Sequence, residues 1–140
     1  MEEVRDTVCF HLAQVCRAHR NLGAPLLEPL GLYPGQDLIL AEIWGEEGLT
    51  QSCLADRARV DASTMTKTLQ RLERYGLIER RADKSDTRVS RVFLTPAGRV
   101  LEVEVAREMN VLEERALAGL TTDERSTFWH LLMRVEANLV

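Results

Sequence analysis

One stretch constrains this chain more than any other, residues 60–76, because its apolar positions suit a single regular conformation. Met65, Leu69 and Leu72 recur at i, i+4 and i+7, which makes one stripe on a helix. Asp61 stands where its side chain can cap the first free N–H groups, and Gly76 where a left-handed turn can end the helix. The opposite face carries Ser63, Thr64, Thr66, Lys67, Gln70, Arg71 and Arg74, with no carboxylate among those positions. An ordinary amphipathic surface helix accounts for the stripe. A face of hydroxyls, amide and cations also suits a polyanion whose base edges need hydrogen-bond partners. The surroundings decide between the two.

Charge is distributed unevenly along the chain. The whole chain of 140 residues carries −4. Residues 57–99 hold eleven Lys or Arg against five Asp or Glu, a net of +6, and the remainder is therefore −10. A basic middle between acidic ends is a directed electrostatic footprint. At 45% hydrophobic and 29% charged, the chain can bury a core as one domain, residues 1–140. No apolar run approaches the roughly 18 residues of a membrane span. The acidic start, Met-Glu-Glu-Val-Arg-Asp, lacks the basic and apolar regions of a signal peptide, so a cytoplasmic protein is expected. Cys9, Cys16 and Cys53 include no Cys-x-x-Cys pair, and no close His/Asp/Glu cluster supports a metal. No metal or other cofactor is expected.

Helical spacing of Val4, Val8, Leu12, Val15 and Leu22 predicts a first helix over residues 2–22, ended by Gly23 and Pro25. A second helix is expected from Pro34 to Glu46, with Trp44 in its apolar face. Thr50 caps a short third helix, residues 51–59, buried through Leu54, Ala55 and Ala58. With the stretch already described it forms a helix-turn-helix. Strands at residues 77–81 and 89–94 enclose a polar turn and make a hairpin with a charged tip. Thr95 and Pro96 open a helix that runs to Leu117, with Val100, Leu101, Val105, Met109 and Leu112 on its apolar side. Thr121 with Glu124 is a capping box for a last helix striped by Phe128, Leu131, Leu132, Val135 and Leu139. The fold class is mainly α.

This order, and particular residues in it, resemble the MarR family of bacterial transcription regulators. The resemblance lies in residues 49–55 (Leu-Thr-Gln-Ser-Cys-Leu-Ala) leading into residues 60–66, in Arg71-Leu72-Glu73 with Gly76-Leu77-Ile78, in Asp83 with Asp86-x-Arg88, and in Leu94-Thr95-x-x-Gly98. It implies a winged helix-turn-helix over residues 34–96, with a two-stranded wing, between dimerisation helices at residues 1–33 and 97–140. It further implies a cytoplasmic homodimer that binds a palindromic double-stranded DNA operator, usually to repress transcription. Half-sites about one helical turn apart, near 34 Å, fit such symmetry.

Carried over residue by residue, the resemblance places Ser63, Thr64, Thr66, Lys67, Gln70 and Arg71 at the major groove. It places Thr50, Gln51 and Ser52 at a phosphate and Arg88 in the minor groove, oriented by Asp86. Gln70 and Arg71 have the chemistry for adenine and guanine edges. Arg80, Lys84 and Arg91 are expected beside phosphates.

The signal has two candidates, a small aromatic ligand or an organic peroxide. Val8-Cys9-Phe10, residues 25–32, Gln36 and Trp44 resemble the organic-hydroperoxide-sensing branch, which makes Cys9 the candidate sensor. Ala13 and Gly23 stand where that branch has tyrosines, and Tyr33 is displaced by one residue. Cys9 as an apolar core residue is the alternative, and a ligand pocket would draw on Cys9, His11, Trp44 or Tyr33. Two other classes were weighed. A thiol enzyme would pair Cys9 with His11 or Cys16 with His19, but no oxyanion or phosphate loop accompanies either pair, so no enzyme is expected. A winged helix that binds only protein would carry an apolar or acidic recognition face.

Overall fold

A computed structural model describes residues 3–140, and Glu2, where the first helix was expected to begin, lies outside them along with Met1. A 3-10 turn, Val4–Asp6, precedes α1, Val8–Leu27. Thr7 separates them, because its Oγ1 accepts from Phe10 N at 3.1 Å and caps α1. The expected stop at Gly23 and Pro25 does not occur. A proline inside a helix costs about 3 kcal/mol. Tertiary packing outweighs it here: Gly23 is buried with Leu112 Cδ2 lying 3.6 Å from where a Cβ would stand, and Leu27 enters the core.

After a second 3-10 turn, Glu28–Leu30, α2 runs over Gln36–Gly45 rather than from Pro34. Gly35 is left-handed, at φ 95°, and delays the start. The buried Gln36 side chain accepts from Tyr33 N at 2.9 Å, while Gln36 N donates to Tyr33 O at 3.0 Å. α3 (Gln51–Ala58) and α4 (Ala62–Arg74) follow, joined across Arg59, which adopts φ 56°. β1 (Ile78–Ala82) pairs antiparallel with β2 (Ser90–Leu94), Arg80 opposite Val92. α5 (Pro96–Ala116) packs against α1, α2 and β2. α6 (Thr122–Leu139) opens with the Thr121–Glu124 capping box and buries none of its residues in the protomer.

The core is built around α4. Met65, Leu69 and Leu72 are fully buried and meet Leu40 and Ile43 of α2, Leu54 of α3, and Ile78 and Val92 of the hairpin. Trp44 sits at its edge and donates from Nε1 to Gly98 O at 2.9 Å, which ties α2 to the start of α5. The stripes of the terminal helices lie outside this core. Val8 is 80% exposed on α1, and Phe128, Leu131, Leu132 and Val135 are all exposed on α6. Arg59 at the end of α3 reaches Glu136 on α6 at 3.3 Å.

Among the described residues no helix is long and apolar enough to cross a membrane, and no three His, Cys, Asp or Glu converge as metal ligands.

Candidate nucleic-acid interface

The interface is assembled from two helix starts and one hairpin. Thr50 Oγ1 accepts from Cys53 N at 3.1 Å and fixes the first turn of α3. Asp61 does the same for α4, accepting from Thr64 N at 2.7 Å and from Thr64 Oγ1 at 2.9 Å. The Thr64 amide, and then its hydroxyl, hold the Asp61 carboxyl below its ordinary value. Gln51 Nε2 donates to Thr66 Oγ1 at 2.7 Å, and Thr66 in turn donates to Ala62 O. Gln51 and Thr66 thus lock α3 onto α4, and Thr64 completes the cap of α4. Ser52, Ser63, Lys67, Gln70 and Arg74 remain exposed.

The hairpin is braced at its base. Asp83 accepts from Arg91 Nε at 2.6 Å and from the amides of Ser85 and Asp86 at 2.9 and 3.0 Å. The Arg91 guanidinium, more than those amides, holds Asp83 below its ordinary value. Arg91 Nη1 also donates to Gly48 O at 2.7 Å. The free edge of β2 is stitched to the segment before α3, Gly48 N donating to Val92 O and Val92 N to Leu49 O. These bonds seat the hairpin beside the start of α3, and sequence reading missed them, since the partners lie more than forty positions apart. At the tip Asp86 grips Arg88 through Nε at 3.0 Å and Nη2 at 3.1 Å, and accepts from its amide at 3.0 Å. Those bonds lower the Asp86 carboxyl and raise the Arg88 guanidinium relative to their ordinary values. Arg88 is still 89% exposed, an aimed and open cation. A single cleft is lined by Thr50, Gln51 and Ser52 from one side, Asp61 and Ala62 from another, and Arg88, Val89 and Ser90 from the hairpin.

Three cations expected at DNA are placed otherwise. Arg80 makes a bidentate pair with Glu73, with Nη2 to Oε1 at 3.1 Å. Arg91 is the hairpin brace just described. Arg71 lies on the flank of α4, about 60° round the helix from Arg74. Its guanidinium carbon stands 3.8 Å from the centroid of the Tyr33 ring and 5.4 Å from that of Tyr75. Each is drawn to a partner that sequence periodicity cannot show. Lys84 remains exposed at the tip.

Cys9 and Cys16 are exposed on α1 and Cys53 is half-buried, so within the protomer Cys9 is not a core residue. A pocket of about 100 Å³ lies between α1, α2 and α5, lined by His19, Arg20, Gly23, Leu27, Pro34, Asp37, Leu38 and Met109 among others. The four residues expected to line a ligand pocket, Cys9, His11, Trp44 and Tyr33, do not line this one. In the sequence His19 figures only as a partner for Cys16 in the thiol-enzyme class.

Known proteins show the same architecture. A family model described as the MarR family matches residues 32–90. The HTH-type transcriptional regulator YybA of Bacillus subtilis (strain 168) is 30% identical over 134 residues, 96% of this chain and 89% of that protein. The organic hydroperoxide resistance transcriptional regulator of the same organism is 31% identical over 100 residues, 71% of this chain and 68% of that protein. A crystal structure of MarR superimposes with a TM-score of 0.88 at 28% identity, covering 99% of this chain and 95% of that one.

Proposed function

Because the chain belongs to the MarR family of transcriptional regulators, a DNA-binding family, we propose that it binds a palindromic duplex operator as a homodimer and represses the genes behind it. One observation carries the reading. The exposed Ser63, Lys67 and Gln70 on α4 and the braced Arg88 at the wing tip flank the cleft that begins at the capped start of α3. Donors and cations project outward, Asp61 and Asp86 are engaged by a helix cap and by Arg88, and Asp56 is, among the described residues, the one acid lining the cleft outside such a contact. Lys67 and Gln70 meet the major groove, the α3 start meets a phosphate through its amides, and Arg88 enters the minor groove. The unburied stripes of α1 and α6 support the dimer, since exposed apolar faces of this extent are covered in assemblies.

Two signals suit this chain. A small ligand fits the pocket beside His19 and Arg20, where a cation and an imidazole would meet an aromatic acid. Oxidation of Cys9 is supported by its exposure and by the similarity to the organic hydroperoxide resistance regulator.

The test selects duplexes from a random pool with the purified protein and measures affinity for the enriched site across a salt series. A palindromic motif with a steep loss of affinity in salt is expected. A protein that enriches no motif, yet captures a protein partner through the same face, is the protein-binding alternative. Adding cumene hydroperoxide to the complex, with Cys9→Ser and Cys16→Ser beside the wild type, separates the signals. Release lost only in Cys9→Ser assigns the sensor, and a wild type that stays bound leaves the ligand pocket.

A further inference from the structure

Arg71 stands out among the cations of the DNA-binding lobe because two tyrosines, and no carboxylate among the described residues, engage it. Its guanidinium is sandwiched instead: over the face of Tyr33 at 3.8 Å, beside Tyr75 at 5.4 Å, and donating from Nη2 to Tyr75 Oη at 3.2 Å. Its Nε is buried without a partner. A base reader needs an extended, free fork, and this fork is folded back against rings. The two rings belong to different parts of the fold. Tyr75 is the C-cap of α4 itself. Tyr33 lies in the connection that leaves α1 and enters α2, and its backbone is held there by the reciprocal bonds with Gln36. Leu32 beside it is 3% exposed, so the connection is anchored to the core while the Tyr33 ring stays at the surface. The stacked guanidinium is thus a pin between the segment that carries α1 and the C-terminal half of the helix that carries Lys67 and Gln70.

We propose that Arg71 is a positioning residue, which fixes the recognition helix against the α1–α2 connection by stacking between Tyr33 and Tyr75 and reads no base itself. The proposal rests on the regulator reading above but concerns a contact present without DNA. Guanidinium–aromatic stacking is planar and directional, so it resists rotation of α4 about its own axis better than a flexible ammonium would. Loss of the pin leaves the reading residues intact and blurs their placement. Affinity should then fall for every site alike.

The experiment uses the full dimer and the duplex enriched by the wild type. Arg71→Ala and Tyr33→Ala should each weaken binding roughly two- to fivefold, the size expected for a cation–π contact at the surface. The double variant should be no weaker than Arg71→Ala, because that change already removes the contact with Tyr33. Selection repeated with each variant should return the wild-type motif. Tyr33→Phe, which keeps the ring face, should bind like the wild type, and Arg71→Lys should stay impaired. Hydrogen exchange on the DNA-free dimer should quicken in the last turn of α4 and at residues 33–36 in both alanine variants. The proposal falls if Arg71→Ala changes the preferred base at one position, if the two losses add, or if exchange is unaltered. Should the wild type enrich no duplex, the regulator reading fails, and exchange alone decides whether the pin exists.

Discussion

Gly98 joins α5 to the hairpin, and replacing it by alanine tests how rigid that joint is. It lies in the first turn of α5, donates to Thr95 Oγ1 at 3.1 Å and accepts from Trp44 Nε1 at 2.9 Å. A Cβ here would stand well inside the 3.0 Å limit of real contacts against the Leu77 carbonyl oxygen, with Leu94 Cδ2 at 3.3 Å. The obstacle is backbone, not a side chain that can turn away. Alanine brings a helix-propensity gain of about 1 kcal/mol over glycine. Against it stand an overpacking cost of about 1–3 kcal/mol and about 1 kcal/mol for each hydrogen bond that opens as the elements separate. Two such bonds are at risk, Thr95 N to Leu77 O at 3.1 Å and Trp44 Nε1 to Gly98 O. The clash wins, and with both bonds opened Gly98→Ala should lose roughly 2–4 kcal/mol and melt about 5–15 °C lower. Thermal unfolding at equal protein concentration measures it, since a dimer's melting point depends on concentration. Gly45→Ala, whose Cβ meets nothing within 4 Å, is the control and should be neutral or slightly stabilising. A Gly98→Ala protein as stable as the wild type would show that β1 and α5 yield at no cost, and the joint would not be rigid.

Arg88→Ala should weaken binding to the enriched duplex about tenfold or more while the dimer sediments unchanged. Lys67→Ala should flatten the slope of log affinity against log salt by about one unit if Lys67 meets a phosphate, a change read directly from the titration. Bonds from the Arg80 side chain, and next from its amide, hold Glu73 below its ordinary value of 4.5. Its stabilising contribution is therefore complete above that value and disappears as pH falls through the lower, folded-state one. Denaturant unfolding should show Glu73→Gln less stable than wild type near neutrality, with the gap closing in acid.

What was legible in the sequence follows from where the causes lie. α4 could be read because its stripe, its Asp61 cap and the Gly76 turn are all local. The capping box of α6 and the Thr95 cap of α5 were legible for the same reason. The end of α1 was misjudged because Gly23 and Pro25 are breakers by local rule, whereas the packing partner that overrides them, Leu112, is on α5. For Arg71, Arg80 and Arg91, periodicity locates a residue on a face but not the partner within the chain that it meets there. Glu73 sits seven positions from Arg80 and Asp83 eight from Arg91, each across a turn, and Tyr33 lies two helices away from Arg71.

The stitching of β2 bears on how this lineage of proteins can change. β2 is paired to β1 on one edge and to Gly48 and Leu49 on the other, and Leu94 N is further held by Glu47 Oε1 at 2.8 Å. A slip of one residue would turn Val92 and Leu94 out of the core and drive Arg91 and Phe93 into it, so the strand's register is fixed twice over. An added or deleted residue within either strand is therefore excluded by the core. The tip between Asp83 and Val89 bonds within itself through Asp83 N to Val89 O and Val89 N to Asp86 O, and outward where Asp83 accepts from Arg91 of β2. Length variation there leaves the register of β2 in place and costs only bonds made at the tip. Descendants of this sequence are thus free to lengthen or shorten the hairpin tip, while the platform beneath it is inherited whole.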